Sequence, residues 1–205
     1  MIYSDDDQYL TIENPGEASV RVKGSRFLGM VFPVQSAEQF KQVLKERVKT
    51  YHDATHHCWA YRLLVDNKVV AASSDDGEPF GTAGKPILSV IEGRNLMKIG
   101  VIITRYFGCT KLGTGGLARA YSNCTNQTLD SVSVVVKTIT EQVLVQFPYE
   151  AMNIIMRMID KYDGIVSDSN YETNPRLTVS IPQSGVSNFK RELIDACHGN
   201  IRFGD

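Results

Sequence analysis

The sequence predicts an α+β protein of two domains, the second of them ferredoxin-like. Three observations carry that prediction. The 205 residues fit one large or two small domains, and an apolar fraction of 42% suffices for packed cores without disulfides or metals. Apolar runs of strand length alternate with segments of helical spacing along the chain. After Ser131 the pattern restarts, and its order of strand, helix, strand, strand, helix, strand within about seventy residues is the split βαββαβ unit. The domains are therefore expected at residues 1–135 and 136–205. The join near 134–138 has no Pro/Gly-rich linker.

Taken in order, FLGMVFPV at 27–34 suits a buried strand, and SAEQFKQVLKERVKTY then changes to helical spacing with Phe40, Val43, Leu44 and Val48 on one face. Ser36 with Gln39 three residues later is a capping box, so the helix should start there. Its outer face is expected to carry Lys41, Lys45, Arg47 and Lys49. CWAYRLLVDNKVVAASS reads as a hairpin turning at Asp66-Asn67. Pro86 at a first helical position, the group Ile87, Leu88, Val90 and Ile91, and Gly93 as a stop predict a short helix. KIGVIITRYF reads as a buried strand, and GCTKLGTGG leads into LARAYSNCTNQTLDS, where Leu117, Tyr121 and Cys124 recur at helical spacing. The second domain follows as EQVLVQF, YEAMNIIMRMIDKYD, GIVSDSNYE, RLTVSIP, GVSNFKRELIDACHG and a last strand at 201–203.

Charge is unevenly spread although the net is −1. Residues 15–137 hold 16 Lys and Arg against 10 Asp and Glu, while both ends are acidic. A modest basic surface is therefore expected on the first domain, far short of a histone-like charge. The start MIYSDDDQYL has acids where a signal peptide needs bases, and no apolar stretch is membrane-length. A cytoplasmic protein without membrane contact is expected. Cys58, Cys109, Cys124 and Cys197 form no C-x-x-C pair and are expected as reduced, buried thiols, with no zinc cluster and no cofactor.

Three segments could carry chemistry. In GCTKLGTGGLARAY, Gly108, Gly113, Gly115 and Gly116 allow close backbone approach, and the helix start offers unpaired N–H groups and a positive dipole end near Arg105, Lys111 and Arg119. Physically this is an anion site, without the spacing of a P-loop or a Rossmann fingerprint; the bland alternative is a tight connection. In SSDDGEPFGTAGKP at 73–86, Asp75, Asp76 and Glu78 could bind metal or act as acid and base, or the Asp side chains could cap backbone N–H groups while Lys85 pairs with an acid. In HDATHHC at 52–58, His56 and His57 would point to opposite faces of a strand, and one of them could join a polar network with Asp76 or Glu78.

Four stretches, KGSRFLG at 23–29, THHCWAYRL at 55–63, DDGEPFGTAGKPIL at 75–88 and ITRYFGCTKLGTGGLARAY at 103–121, resemble the YigZ/IMPACT family in order. The last seventy or so residues resemble the ferredoxin-like C-terminal domain of its bacterial members. One departure is Cys109, where the family has a second glycine after R-Y-F. The resemblance implies a ribosomal protein S5 domain 2-like first domain and a second domain similar to domain V of elongation factor G. It also implies a link to translation regulation; the additional N-terminal domain through which eukaryotic members act is expected to be absent.

The expected function is thus RNA or ribosome association rather than catalysis. Arg105, Lys111, Arg119, Lys85, Lys23 and Arg26, with Gly113, Gly115 and Gly116, would meet phosphates, and Tyr106 and Phe107 could stack on bases or pack in the core. The alternative is a hydrolase or phosphotransferase using Asp76 and Glu78 with His56 or His57. A protein-binding module with an exposed sheet edge is a third class, and no oligomeric state is read from the sequence.

Overall fold

The computed structural model describes residues 7–65, 68–171 and 175–204. Leu10–Val136 form one unit, and the chain from Lys137 forms another together with residues 7–9. A strand β1 (Gln8–Ile12) pairs with a strand β7 (Val134–Thr138) in a two-stranded ladder. Neither was expected from the sequence, because each is too short to show a period.

In the first unit, β2 (Gly16–Val22), β3 (Ser25–Pro33), β4 (His56–Val65), β5 (Lys68–Ser74) and β6 (Ile99–Tyr106) make one antiparallel sheet ordered β2-β3-β6-β4-β5. The turn expected at Asp66-Asn67 lies outside the described residues. The central strands read as unbroken apolar runs because helices cover both faces. On one face Phe27, Val31, Ala60, Val101 and Ile103 pack against α2 (Gly84–Gly93) and α3 (Thr114–Asp130). On the other, Phe32, Leu63 and Ile102 pack against Phe40 of α1 (Ala37–Thr50), whose ring also meets Trp59 and Tyr61 at 5.1 and 5.0 Å. The α1 start is as expected, with the Gln39 N–H donating to Ser36 Oγ.

Two positions on α1 exchange roles. Arg47 is buried, not on the outer face: its guanidinium lies 4.3 Å from the Tyr51 ring centroid and pairs with Glu17, and its Nε approaches Thr104 Oγ1 at 3.4 Å. Its long stem lets the charge reach the sheet rim. Val48, expected inside, is exposed. Cys109 is likewise exposed, whereas Cys58, Cys124 and Cys197 are buried.

The second unit contains β8 (Thr140–Gln146), α4 (Met152–Lys161), β9 (Ile165–Asn170), β10 (Arg176–Pro182), α5 (Val186–Ala196) and β11 (Arg202–Gly204), with an antiparallel sheet ordered β11-β8-β10-β9. Val143, Val145, Leu177, Val179 and Ile181 alternate inward and meet Ile155, Ile159, Phe189 and Leu193 of the two helices. Asp7, buried, accepts bonds to both carboxylate oxygens from the Ser184 N–H at 3.1 and 2.9 Å. Among the described residues no helix is long and apolar enough to cross a membrane.

Phe40 is 1% exposed and sits beside Trp59, the only tryptophan in the chain. Phe40→Ala should therefore lower the stability of the first unit by about 3 to 5 kcal/mol, read from tryptophan fluorescence in urea. A loss under about 1 kcal/mol would show that this ring does not anchor the α1 face.

Candidate functional site

The segment 73–86 is a folded-back loop held by its own acids. Asp75 Oδ2 accepts the Gly81 N–H at 2.7 Å, and Oδ1 accepts those of Ala83 and Gly84 at 2.9 and 2.8 Å. It thus caps α2 from eight residues upstream, which is why that helix begins at Gly84 and needs no local cap. Burial works to raise the Asp75 pKa, but the three N–H donors outweigh it and hold the carboxyl below its usual value. Asp76 and Gly77 are both left-handed, at φ 43° and 85°. That reversal returns the chain to β4, where Asp76 Oδ2 accepts the His57 N–H and the Asp76 carbonyl accepts His56 Nδ1–H at 2.7 Å. Asp75 and Asp76 therefore bond backbone, as capping side chains do. Lys85 Nζ lies over the Phe80 ring, 4.7 Å from its centroid.

The bend turns Glu78 inward. It is buried, and its Oε1 accepts from Arg105 Nη1 and, at 2.8 Å, from the Tyr121 hydroxyl. Arg105 Nη2 reaches Ser25 Oγ at 3.3 Å, and Cys58 Sγ lies 3.2 Å from the Tyr121 hydroxyl. Burial pushes the Cys58 thiol and the Tyr121 phenol well above their usual pKa values, so both stay protonated. Arg105 is thus not a phosphate contact: along β6 it shares the face of Val101 and Ile103, and its charge is already met by Glu78.

Of the four residues of the catalytic alternative, His56 approaches Asp76 and Glu78, and His57 is turned away. Because its Nδ1–H is given to the Asp76 carbonyl, His56 turns Nε2 toward Glu78 Oε2, at 4.0 Å. His57 faces the opposite side of β4, its Nε2 3.2 Å from the Tyr51 carbonyl and its Nδ1 3.2 Å from Thr104 Oγ1. A carbonyl only accepts, so Nε2 carries the proton and Nδ1 accepts from the Thr104 hydroxyl. Burial lowers the His57 pKa and keeps the ring neutral. Among the described residues no group of His, Cys, Asp and Glu is arranged to hold a metal.

The glycine-rich loop opens on a cleft of about 350 Å³ lined by Val22, Lys23, Leu112, Gly116, Arg119 and Asn123, together with Ala120. Gly113, at φ 71°, precedes α3 without any side-chain cap, and the N–H groups of Thr114, Gly115 and Gly116 take no partner among the described residues. Lys23 and Gly24, at φ 46° and 80°, form the two-residue turn between β2 and β3. This turn rests on the loop after β6: a Cβ at Gly108 would fall 1.9 Å from the Gly24 carbonyl carbon. Only glycine permits that contact. Lys23, Gly116 and Arg119 are thereby brought together, with exposed Lys111 on the adjoining loop. Arg26 lies outside the cleft, on the face of β3 opposite Phe27, 5.5 Å from the Tyr106 ring. Lys85 is in the first turn of α2, also outside the cleft.

Sequence reasoning passed over Ser25, Tyr121 and Phe80. Tyr121 looked like one more apolar helix position, and nothing local marks its hydroxyl as the partner of a glutamate 43 residues away.

Residues 23–129 match the Impact N-terminal domain, and residues 145–200 match a domain of unknown function, DUF1949. The chain is similar to the IMPACT family member YigZ of Escherichia coli (strain K12), 33% identical over 182 residues that cover 88% of this chain and 89% of that one. It is also similar to the IMPACT family member YvyE of Bacillus subtilis (strain 168), 28% identical over 191 residues covering 93% and 88%. A crystal structure titled as that of a hypothetical protein superposes with a TM-score of 0.70 at 31% identity, covering 96% of both chains.

Removing one partner of a buried ion pair leaves the other charge uncompensated, so Glu78→Gln and Arg105→Met should each cost about 3 to 5 kcal/mol in urea unfolding. The double variant should cost clearly less than their sum, and simple additivity would deny the coupling. Asp75 sets a second expectation. A carboxylate whose folded pKa is depressed stabilises above its unfolded value, near 3.9, and that stability is lost as pH falls through the folded pKa. Asp75→Asn should therefore destabilise by about 2 kcal/mol at neutral pH and flatten the pH dependence of stability below about 4. An unchanged acid limb would contradict the capping role.

Proposed function

Because the chain belongs to the IMPACT family, we propose that it is a cytoplasmic, RNA- or ribosome-associated protein with a role in translation regulation, meeting the phosphate backbone through its basic glycine-rich loop. The observation that carries this reading is the cleft in which Lys23 and Arg119 flank the uncapped start of α3. Lys111, exposed on the loop that opens the cleft, joins them, while Arg105 is withdrawn to the interior. Lys85 and Arg26 lie outside the cleft and are weaker phosphate contacts.

The first domain, 1–135, is read as S5 domain 2-like and the second, 136–205, as ferredoxin-like. The strand order β11-β8-β10-β9 supports the second assignment. The hydrolase alternative has less support: His56 Nε2 stands 4.0 Å from Glu78 Oε2, but Glu78 is already held by Arg105 and Tyr121, and His57 faces away.

The test is co-sedimentation with ribosomes and with free RNA at low and moderate salt, comparing the parent chain with Lys23→Ala/Lys111→Ala/Arg119→Ala. All three side chains are exposed, so the fold should survive. Binding should weaken steeply with salt, and in the triple variant the slope of log K against log salt should fall by about 2. Binding indifferent to both salt and the variant would refute the reading.

A further inference from the structure

We infer that the protein takes single-stranded RNA in particular, with unpaired bases stacking on Phe80 and Phe107 beside the phosphate cleft; this rests on the phosphate-binding reading above. Phe80 is 87% exposed and Phe107 46% exposed. A lone exposed phenylalanine is ordinary, but Phe80 is displayed by a loop built for rigidity. The Thr82 N–H and hydroxyl both donate to the Pro79 carbonyl, at 3.0 and 2.7 Å, and Gly81 at φ 73° completes the turn. Asp75 pins the far side of this turn through the Gly81 N–H. An anchor held this way loses little further freedom when it binds, which is what a recognition side chain needs.

The two rings are linked through one buried ion pair. Phe80 is two residues from Glu78, Glu78 pairs with Arg105, and the Arg105 guanidinium lies 5.5 Å from the Phe107 ring centroid. Phe107 adjoins Gly108, whose backbone touches the Gly24 turn, and Lys23 of that turn lines the cleft with Arg119. The Phe107 N–H donates to Thr55 Oγ1 at 3.1 Å, so this ring too leaves from a fixed backbone.

The chemistry of these side chains selects the occupant. Lys85 lies over the Phe80 ring, and Phe107 adjoins the loop on which the Lys23 turn rests, so each ring has a cation in its neighbourhood. Exposed rings close to cations suit unpaired bases on a phosphate chain. A duplex keeps its base faces stacked on one another and has none to offer, so it would engage the cations alone.

The probe is a short single-stranded oligoribonucleotide carrying 2-aminopurine, whose fluorescence is quenched on stacking, set against the same strand in a duplex. The parent chain should quench the single strand and bind it more tightly than the duplex. Phe80→Ala and Phe107→Ala should each weaken single-strand binding about tenfold and relieve quenching, while duplex affinity is unchanged. Salt-sensitive binding lost in Lys23→Ala/Lys111→Ala/Arg119→Ala but untouched in Phe80→Ala/Phe107→Ala would overturn the stacking and leave the phosphate reading in place. Binding lost with the rings but indifferent to the cations and to salt would do the reverse. Absence of any RNA binding at low salt would overturn both.

Discussion

An arginine brought out of water must find its counter-charge inside the fold, and much of the first unit is arranged so that Arg105 does. Its position on β6, between strands buried on both faces, gives it no route to solvent along its own strand. Glu78 must come to it, which requires a loop that reverses at Asp76 and Gly77 and is then pinned by Asp75. Tyr121 of α3 and Ser25 of β3 supply further bonds, leaving only Arg105 Nε of the pair's guanidinium without one among the described residues, so the pair links a loop, a helix and two strands. The desolvation of two charges is offset only while all these partners stay in register. Turning Glu78 inward also leaves Phe80 facing outward, so what the loop displays follows from what it buries.

The strands and helices that pack were legible because each keeps a strong period or run: β3, β6, the inward alternation of β8 and β10, and the capped start of α1. The short edge elements β1, β2 and β7 show no such signal and depend on neighbours distant in sequence. Arg105 was readable in principle, since a two-residue step from Val101 and Ile103 puts it on their face, but its charge suggested surface. Arg47 was misjudged for a similar reason: helical spacing fixes direction, not how far a long side chain can bend back to the sheet. Glu78 and Tyr121 could not be paired from sequence, because they are 43 residues apart with α2 and β6 between them and only the folded loop brings them together.

The candidate surface inherits its precision from glycines used in two ways. Gly108 and Gly24 are required by a backbone contact, which lodges the Lys23 turn against the loop after β6. Gly113 has open space around it and is required by its left-handed conformation, which starts α3 without a capping side chain. The pair seats the turn whose Lys23 lines the cleft, and Gly113 leaves donors free at the start of α3, where Gly116 lines it. The structural reading of this loop therefore applies to Gly108, while the N–H groups of Thr114, Gly115 and Gly116 keep no partner among the described residues.

The most direct test of the account is a ¹⁵N-resolved amide titration of the intact chain with a short single-stranded oligoribonucleotide. The account predicts shifts at Lys23 and Gly24, at Phe80 and Gly81, and from Phe107 through Arg119, with Thr114, Gly115 and Gly116 the most affected because their N–H groups would face phosphate. Shifts confined to the α1 face, the β5 edge or the second unit would contradict it.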